Sequence, residues 1–295
     1  MAPLMPAADV DITTGLVRGL VADQHPDLAG LPVEFMANGW DNALFRVGPR
    51  LVARLPRRAQ AAPVLLNEQR WLSSLAARLP LPIPAPERTG VPASGYPWSW
   101  SLVPYLPGTS AADVSSFDMT AAAAAVGGFL RALHVAAPPD APENPFRGVW
   151  LGEREPTVLE NLRTVADQVD EAAALRVWSA AVAAPRHSGE PVWVHGDLHP
   201  GNILVDEGQV SGVIDFGDLT AGDPATDLSV AWMLLPLPAH EAFFSASGAA
   251  YDAALRARAR GWALALGLVF LTFSADNPRM LAIGKRTLRR VLGVR

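Results

Sequence analysis

The 295-residue chain contains no cysteine, which excludes disulfides, thiolate metal sites and cysteine nucleophiles together. Lysine is nearly as scarce: Lys285 stands alone among 24 basic residues, so work usually done by a lysine ammonium must fall to arginine. No large excess of either charge is present. The formal net charge of −5 lacks the basic surplus that binds a phosphate backbone, so no nucleic-acid partner is expected. The longest apolar run, residues 262–275, falls short of the ~20 residues that span a bilayer, so no membrane association is expected. Met1–Val10 carries no positive residue ahead of an apolar stretch, so no signal peptide is read there and a cytoplasmic protein is expected. A Walker A loop is also missing, because Gly284-Lys285 lacks the earlier glycine that such a loop requires. What is abundant is apolar residue content, 50% of the chain, enough for a large core without metal or disulfide staples.

The chain reads as two unlike halves. In the first, Asn42–Val47 and residues 50–55 alternate around Gly48-Pro49 and predict a β-hairpin. Residues 63–79 have helical periodicity, with Leu65, Leu72, Leu75 and Leu79 on one face and Pro63 suited to a first turn. The alternating prolines of residues 79–86 forbid a helix and predict an extended connector lying against the protein. Residues 98–103 read as a strand that ends at Pro104-Tyr-Leu-Pro-Gly108. Beyond Gly108 the pattern is mainly helical: residues 118–134, 156–184, 224–235, 251–274, and a last helix opened by Asn277-Pro278. Short strands at Val192–Val194, 202–205 and 213–214 interrupt it. An α+β architecture follows, with a β-rich lobe over 1–103, a hinge at 104–108 and a mainly helical lobe over 109–295.

The chemistry concentrates between His195 and Asp227. His195-Gly-Asp197-Leu-His199-Pro-Gly-Asn202 follows one strand, and Ile214-Asp215-Phe-Gly217 ends another. Phosphoryl transfer needs a carboxylate to orient the attacking hydroxyl and accept its proton, and hard oxygen ligands for Mg²⁺ on the phosphates. Asp197 suits the first task; Asn202 and Asp215 suit the second. H-x-D-x-x-x-x-N followed by D-F-G is the pattern of a kinase catalytic loop and metal loop.

On these residues, and on Gly222-Asp223-Pro224-Ala-Thr-Asp227-Leu228 behind them, the chain resembles the aminoglycoside phosphotransferase family, small-molecule kinases with a bilobal protein-kinase-like fold. The resemblance implies ATP or GTP as co-substrate, Mg²⁺ as cofactor, Asp197 as catalytic base, Asn202 and Asp215 as metal ligands, and a nucleotide-binding first lobe. It also implies that the hinge meets the nucleobase through the Pro104 carbonyl and the Leu106 N–H. In kinase-like enzymes a strand lysine paired to a helix glutamate holds the phosphates. Here Glu68, on the apolar stripe of its helix, is that glutamate, and Arg54 stands where lysine is expected. Arg57 and Arg58 compete for the role, although their place past Pro56 predicts an exposed turn. The turn Asn38-Gly-Trp-Asp-Asn42 occupies the position of the phosphate-covering loop and makes Asn42 a nucleotide-binding candidate.

Only eight positions separate Asp215 from Asp223, too few for a protein-kinase activation loop, so the acceptor is expected to be a small molecule bearing a hydroxyl, with no obligate protein partner. Asp218, Glu241, Asp252 and Asp276 are the acidic residues available to a polycationic aminoglycoside; the largely apolar helices past Asp227 suit a macrolide or other bulky neutral alcohol better. An aminoglycoside-like or macrolide-like antibiotic is the expected acceptor, and a small metabolic alcohol the alternative. Two other classes stay open, a metal-dependent hydrolase using His195, Asp197 and His199, and an inactive nucleotide-binding protein. Of the remaining polar residues, His195 is expected to shape its loop through backbone hydrogen bonds, His134 to cap or pack, Asp227 to brace the catalytic loop, and Arg256, Arg258 and Arg260 to form a solvated face.

Overall fold

A computed structural model describes residues 6–248 and 253–294. The chain divides into two compact units, one running to Ala77 and including Pro82–Leu106, the other Arg78–Leu81 with everything from Pro107 on.

The first unit is built on a five-stranded antiparallel sheet. Its strands are β1 (Val33–Asn38), β2 (Asn42–Val47), β3 (Leu51–Pro56), β4 (Arg88–Gly90) and β5 (Trp100–Pro104), in the order β1-β2-β3-β5-β4. The hairpin of β2 and β3 pairs Leu44 with Arg54, and β5 sets Ser101 on the other side of Arg54. Helix α1 (Thr14–Gln24) covers one part of this core, burying Val17, Leu20 and Val21 with Phe45, Leu55 and Trp100. It was not expected from the sequence, although Thr13 as N-cap ahead of Leu16, Val17, Leu20 and Val21 carries the signal. Helix α2 (Ala62–Ala76) buries Leu65, Glu68, Leu72 and Leu75, one face of the expected helix. Ile83 is buried within the proline-rich connector, which therefore lies packed rather than free.

In the second unit, β6 (Thr109–Ser110) leads to α3 (Met119–Leu133), whose N-cap Asp118 accepts from the Thr120 and Ala121 amides. The stretch expected as one helix at 156–184 is two, α4 (Glu155–Thr164) and α5 (Glu171–Ala183), because Asp170 caps the second one. Strand β7 (Val192–Val194) precedes the loop of His195 to Asn202, β8 (Ile203–Asp206) and β9 (Gln209–Val213) form the hairpin that follows it, and β10 (Thr220–Gly222) pairs with β7. Short helices α6 (Ala225–Leu228) and α7 (Val230–Leu234) follow, then α8 (His240–Ser247), α9 (Ala253–Phe273) and α10 (Pro278–Leu292). Helix α10 starts where Asn277-Pro278 predicts: Asn277 caps the Met280 amide and Gly293 ends it in the left-handed region. No helix among the described residues is long and apolar enough to cross a membrane.

Candidate active site

The second unit brings the expected catalytic residues into one hydrogen-bonded loop. His195 shapes it as expected: its Nε2 meets the Ile214 carbonyl at 3.1 Å and its Nδ1 accepts the Asp197 amide at 3.2 Å. Both ring nitrogens are therefore spent and neither can bind a metal. His199 turns inward as well, its Nδ1 accepting the Gly201 amide at 3.0 Å. Its Nε2 faces the Asp197 carboxylate at 3.4 Å. No cluster of three His, Asp or Glu among the described residues could hold a metal, which removes the support for a hydrolase built on these histidines.

Asn202 reaches back five residues, donating from Nδ2 to the Asp197 carbonyl at 2.9 Å and lying 3.4 Å from its carboxylate Oδ2. With the amide nitrogen so occupied, the amide oxygen is the atom left to offer a hard cation. The Ile214 amide donates to the Asn202 carbonyl at 2.9 Å, tying the catalytic loop to the strand end that presents Asp215. Asp215 is solvent-facing and sits at φ 66°, a left-handed backbone rare outside glycine and costly by about 1–3 kcal/mol. Strain of this kind persists where a side chain must point in one direction. An amide oxygen and an exposed carboxylate are the donor set that Mg²⁺ takes beside phosphate oxygens, so these residues fit the metal the resemblance implies.

Asp227, buried completely, braces the loop. Its carboxylate accepts the His195 amide at 2.8 Å and the Gly196 amide at 2.9 Å, and His134 Nε2 lies 3.0 Å from it. His134 thus caps α3 and also bears on the catalytic loop. Gly196 is at φ +86°, and a β-carbon there would lie 2.3 Å from the Asp218 carbonyl, so only glycine lets the two loops touch. Asp227→Asn keeps one acceptor and turns an amide donor toward a backbone N–H. We expect it to lower stability by about 1–3 kcal/mol in urea titration, with the slope unchanged.

Two residues that sequence reasoning missed complete the site. Arg147 reaches Asp197 Oδ1 at 3.9 Å from one side-chain nitrogen and Asp218 Oδ2 at 3.6 Å from another, while Asn144 donates to Asp218 at 2.8 Å. Their segment is irregular and carries no motif. It is pinned by the Gly148 amide donating to Thr226 Oγ1 and the Asp223 amide donating to the Gly148 carbonyl. Burial alone would raise the Asp197 carboxyl; His199, through charge and hydrogen bond, then Arg147 and His195 outweigh it and hold the group well below the usual carboxylate range. Asp218 moves the other way, raised by burial and by the charges of Asp197 and Asp215 against the pull of Arg147 and Asn144. The two neighbouring carboxyls are thus shifted in opposite directions by their surroundings.

Arg258, expected on a solvated face, is instead buried and forks onto Asp223, with Nε to Oδ2 at 2.7 Å and Nη2 to Oδ1 at 3.2 Å. Asp223 also accepts the Ala225 amide at the start of α6, so its carboxylate has a backbone partner besides the ionic one.

In the first unit Arg54 and Glu68 pair at 2.9 Å with both side chains buried, and Arg54 Nε has no partner. Arg57 is buried rather than exposed; it and Arg58 hold the 39–42 turn, Arg57 donating to the Gly39 carbonyl at 3.1 Å and Arg58 pairing with Asp41. The Gly39 amide is spent on the Asn42 carbonyl, while Asn42 Oδ1 is buried without a partner. That free atom is an acceptor, suited to an N–H or hydroxyl rather than to a phosphate oxygen. Pro104 pairs with Leu51 at the end of β5, and Leu106 is half-buried beyond it.

The family described as a phosphotransferase enzyme family matches this chain over residues 32–262. Two curated proteins, the aminoglycoside 3'-phosphotransferases of Escherichia coli and Salmonella typhimurium, are each 30% identical over 145 residues, 46% of this chain and 53% of theirs. The match spans about half the length of those relatives. The solved GDP complex of wild-type aminoglycoside 2'-phosphotransferase-IIIa superposes with a TM-score of 0.68 at 19% identity, covering 96% of this chain and 99% of that one. A macrolide 2'-phosphotransferase from Brachybacterium faecium superposes with a TM-score of 0.60 at 22% identity, covering 92% and 97%. At such identities the likeness shows a shared kinase-like α+β fold.

Proposed function

The chain belongs to the phosphotransferase enzyme family, and from that premise we propose that it moves the γ-phosphate of ATP or GTP to a hydroxyl of a small molecule. The observation that carries this reading is the Asp197 carboxylate, held ionised within 3.4 Å of Asn202 on a loop bonded to the strand end that presents Asp215. The acceptor oxygen attacks the γ-phosphorus, its proton passes to Asp197, and the bond to the β–γ bridging oxygen breaks to leave the nucleoside diphosphate. Asn202, through its amide oxygen, and Asp215 would hold Mg²⁺, which when bound neutralises phosphate charge. Arg54, oriented by Glu68, would grip phosphate oxygens of the nucleotide. Pro104 and Leu106 would take the nucleobase, and Asn42 would accept from the nucleotide's hydroxyl or N–H groups.

Within the range of acceptors, an aminoglycoside-like or macrolide-like antibiotic comes first by family. The acidic residues available to a polycation are few, which favours a metabolic alcohol as the second reading. Glu241 is paired with Arg256, Asp218 is held by Asn144, Asp276 is exposed in a loop, and Asp252 lies outside the described residues.

Asp215→Ala tests the metal assignment without relying on turnover. Nucleotide affinity measured by titration calorimetry should rise with Mg²⁺ in the wild type, and this gain should vanish in the variant. An unchanged Mg²⁺-dependent gain would remove Asp215 from the site.

A further inference from the structure

Between the end of α3, the segment ahead of β7 and the start of α9, the second unit forms a pocket of about 440 Å³, a size suited to a small molecule. Five basic side chains line it, Arg131, His134, Arg186, His187 and Arg258, and no Asp or Glu among the described residues does. In a chain with 29 acidic and 24 Lys and Arg residues, a wall of one sign departs from the overall composition. Asp197, Asn202, Asp215 and Asp218 do not line this pocket. Asp227, completely buried, separates it from the loop that bears Asp197: His134 Nε2, from the pocket wall, lies 3.0 Å from its carboxylate, which also accepts the His195 and Gly196 amides.

Two of the five basic groups are spent inside the protein, and one of these builds the pocket. His134 is engaged with Asp227, and Arg258 gives Nε and Nη2 to Asp223 and Nη1 to the Pro185 carbonyl. That last bond fixes the start of the segment that carries Arg186 and His187. Its end is held by His187 Nε2, 3.0 Å from the Glu190 carbonyl, and by the Ala137 amide, which donates to the Pro191 carbonyl at 2.9 Å. Arg131 and Arg186 have no carboxylate partner among the described residues. Arg186 lies over the Trp150 ring, 3.5 Å from its centroid, an arrangement that orients the guanidinium and leaves its N–H edge to a ligand. The amides of Ser188 and Gly189, on the same wall, have no hydrogen-bond partner among the described residues either.

Two uncompensated guanidiniums on one wall call for a compact group with two negative charges and several acceptor oxygens. A carboxylate brings one charge, whereas a phosphate group brings about −1.5 to −2 near pH 7 and three or more acceptor oxygens. We infer that this pocket is a second anion site, apart from the residues of phosphoryl transfer, and that it binds a phosphate dianion, free or carried as an ester by a small metabolite, on Arg131 and Arg186. The Ser188 and Gly189 amides supply further donors, and Arg258 keeps the segment that bears them in place. None of these residues takes part in the phosphotransferase reading, so the site stands or falls separately from it.

The test titrates the ¹⁵N-labelled full chain with inorganic phosphate, methyl phosphate and acetate at constant ionic strength and slightly alkaline pH, and follows the Ser188 and Gly189 amide signals by NMR. These signals report on the pocket itself, so phosphate taken up beside Asp197 is not mistaken for it. Both phosphates should shift them saturably and bind at least about tenfold more tightly than acetate, the gain of a further charge-assisted hydrogen bond. Arg131→Gln and Arg186→Gln should each weaken phosphate by about tenfold. Both side chains are exposed, so circular dichroism should report an unchanged fold. Tighter binding of methyl phosphate than of inorganic phosphate would identify an ester as the occupant; equal or weaker binding would identify free phosphate. No saturable shift, equal affinity for acetate, or a phosphate affinity that either variant retains in full would overturn the site.

Discussion

Replacing Asp197 with asparagine should lower the rate of phosphoryl transfer by about 10²–10⁴-fold while nucleotide affinity stays near the wild-type value. The amide is nearly isosteric and can still accept from Asn202 Nδ2, which lies 3.4 Å from the carboxylate and 2.9 Å from the Asp197 carbonyl. What it loses is the charge that takes the acceptor's proton. His199, Arg147 and His195 hold Asp197 ionised, so the wild-type base needs no alkaline pH to be competent. The loss should therefore appear in kcat, with little change in the KM for nucleotide; a variant that turns over at the wild-type rate would remove Asp197 from its role. Arg147 should keep the variant loop in place through Asp218, so circular dichroism should report an unchanged fold.

The second large effect is thermodynamic. Glu68→Ala should destabilise the protein by about 3–5 kcal/mol, because it strands the Arg54 guanidinium in the first unit's interior. Glu68 is 2% exposed and Arg54 7%, so neither group can turn to water without moving its element. Replacing both residues with apolar ones of similar size should cost much less stability than Glu68→Ala, while phosphate grip should fall in both cases. Urea titration of the single and double variants beside nucleotide calorimetry separates the two roles. A silent Glu68→Ala would show that the pair contributes nothing.

The grouping of Asp197, Asn202 and Asp215 could be read from sequence because the pattern that joins them is local. Asp197 and Asn202 lie on the loop that follows β7, and Asp215 lies just past the end of β9, all within 19 residues, and each residue's type restricts what it can do. Arg54 and Glu68 were legible for a different reason: a carboxylate on the buried stripe of an amphipathic helix demands a cation, and β3 supplies one. Residues whose meaning comes from distant partners were not legible. Asn144 and Arg147 meet Asp218 across more than seventy positions from a segment with no period and no motif. Arg258 looks like a member of a solvated Arg256, Arg258, Arg260 series until Asp223, 35 positions away, turns out to face it. The same limit applies to the helix expected over 156–184. Its apolar pattern continues through the break, and only the capping geometry of Asp170 shows where the second helix begins.

The central claim is that Asp197, Asn202 and Asp215 form a phosphoryl-transfer centre. Its most direct test is to follow the label of γ-³²P ATP and GTP, with and without Mg²⁺, over a panel of aminoglycosides, macrolides, small metabolic alcohols and hydroxy acids. The account predicts label covalently attached to an alcohol oxygen, only when Mg²⁺ is present, and lost in Asp197→Asn. Nucleotide that binds yet is neither transferred nor hydrolysed under any of these conditions would contradict it.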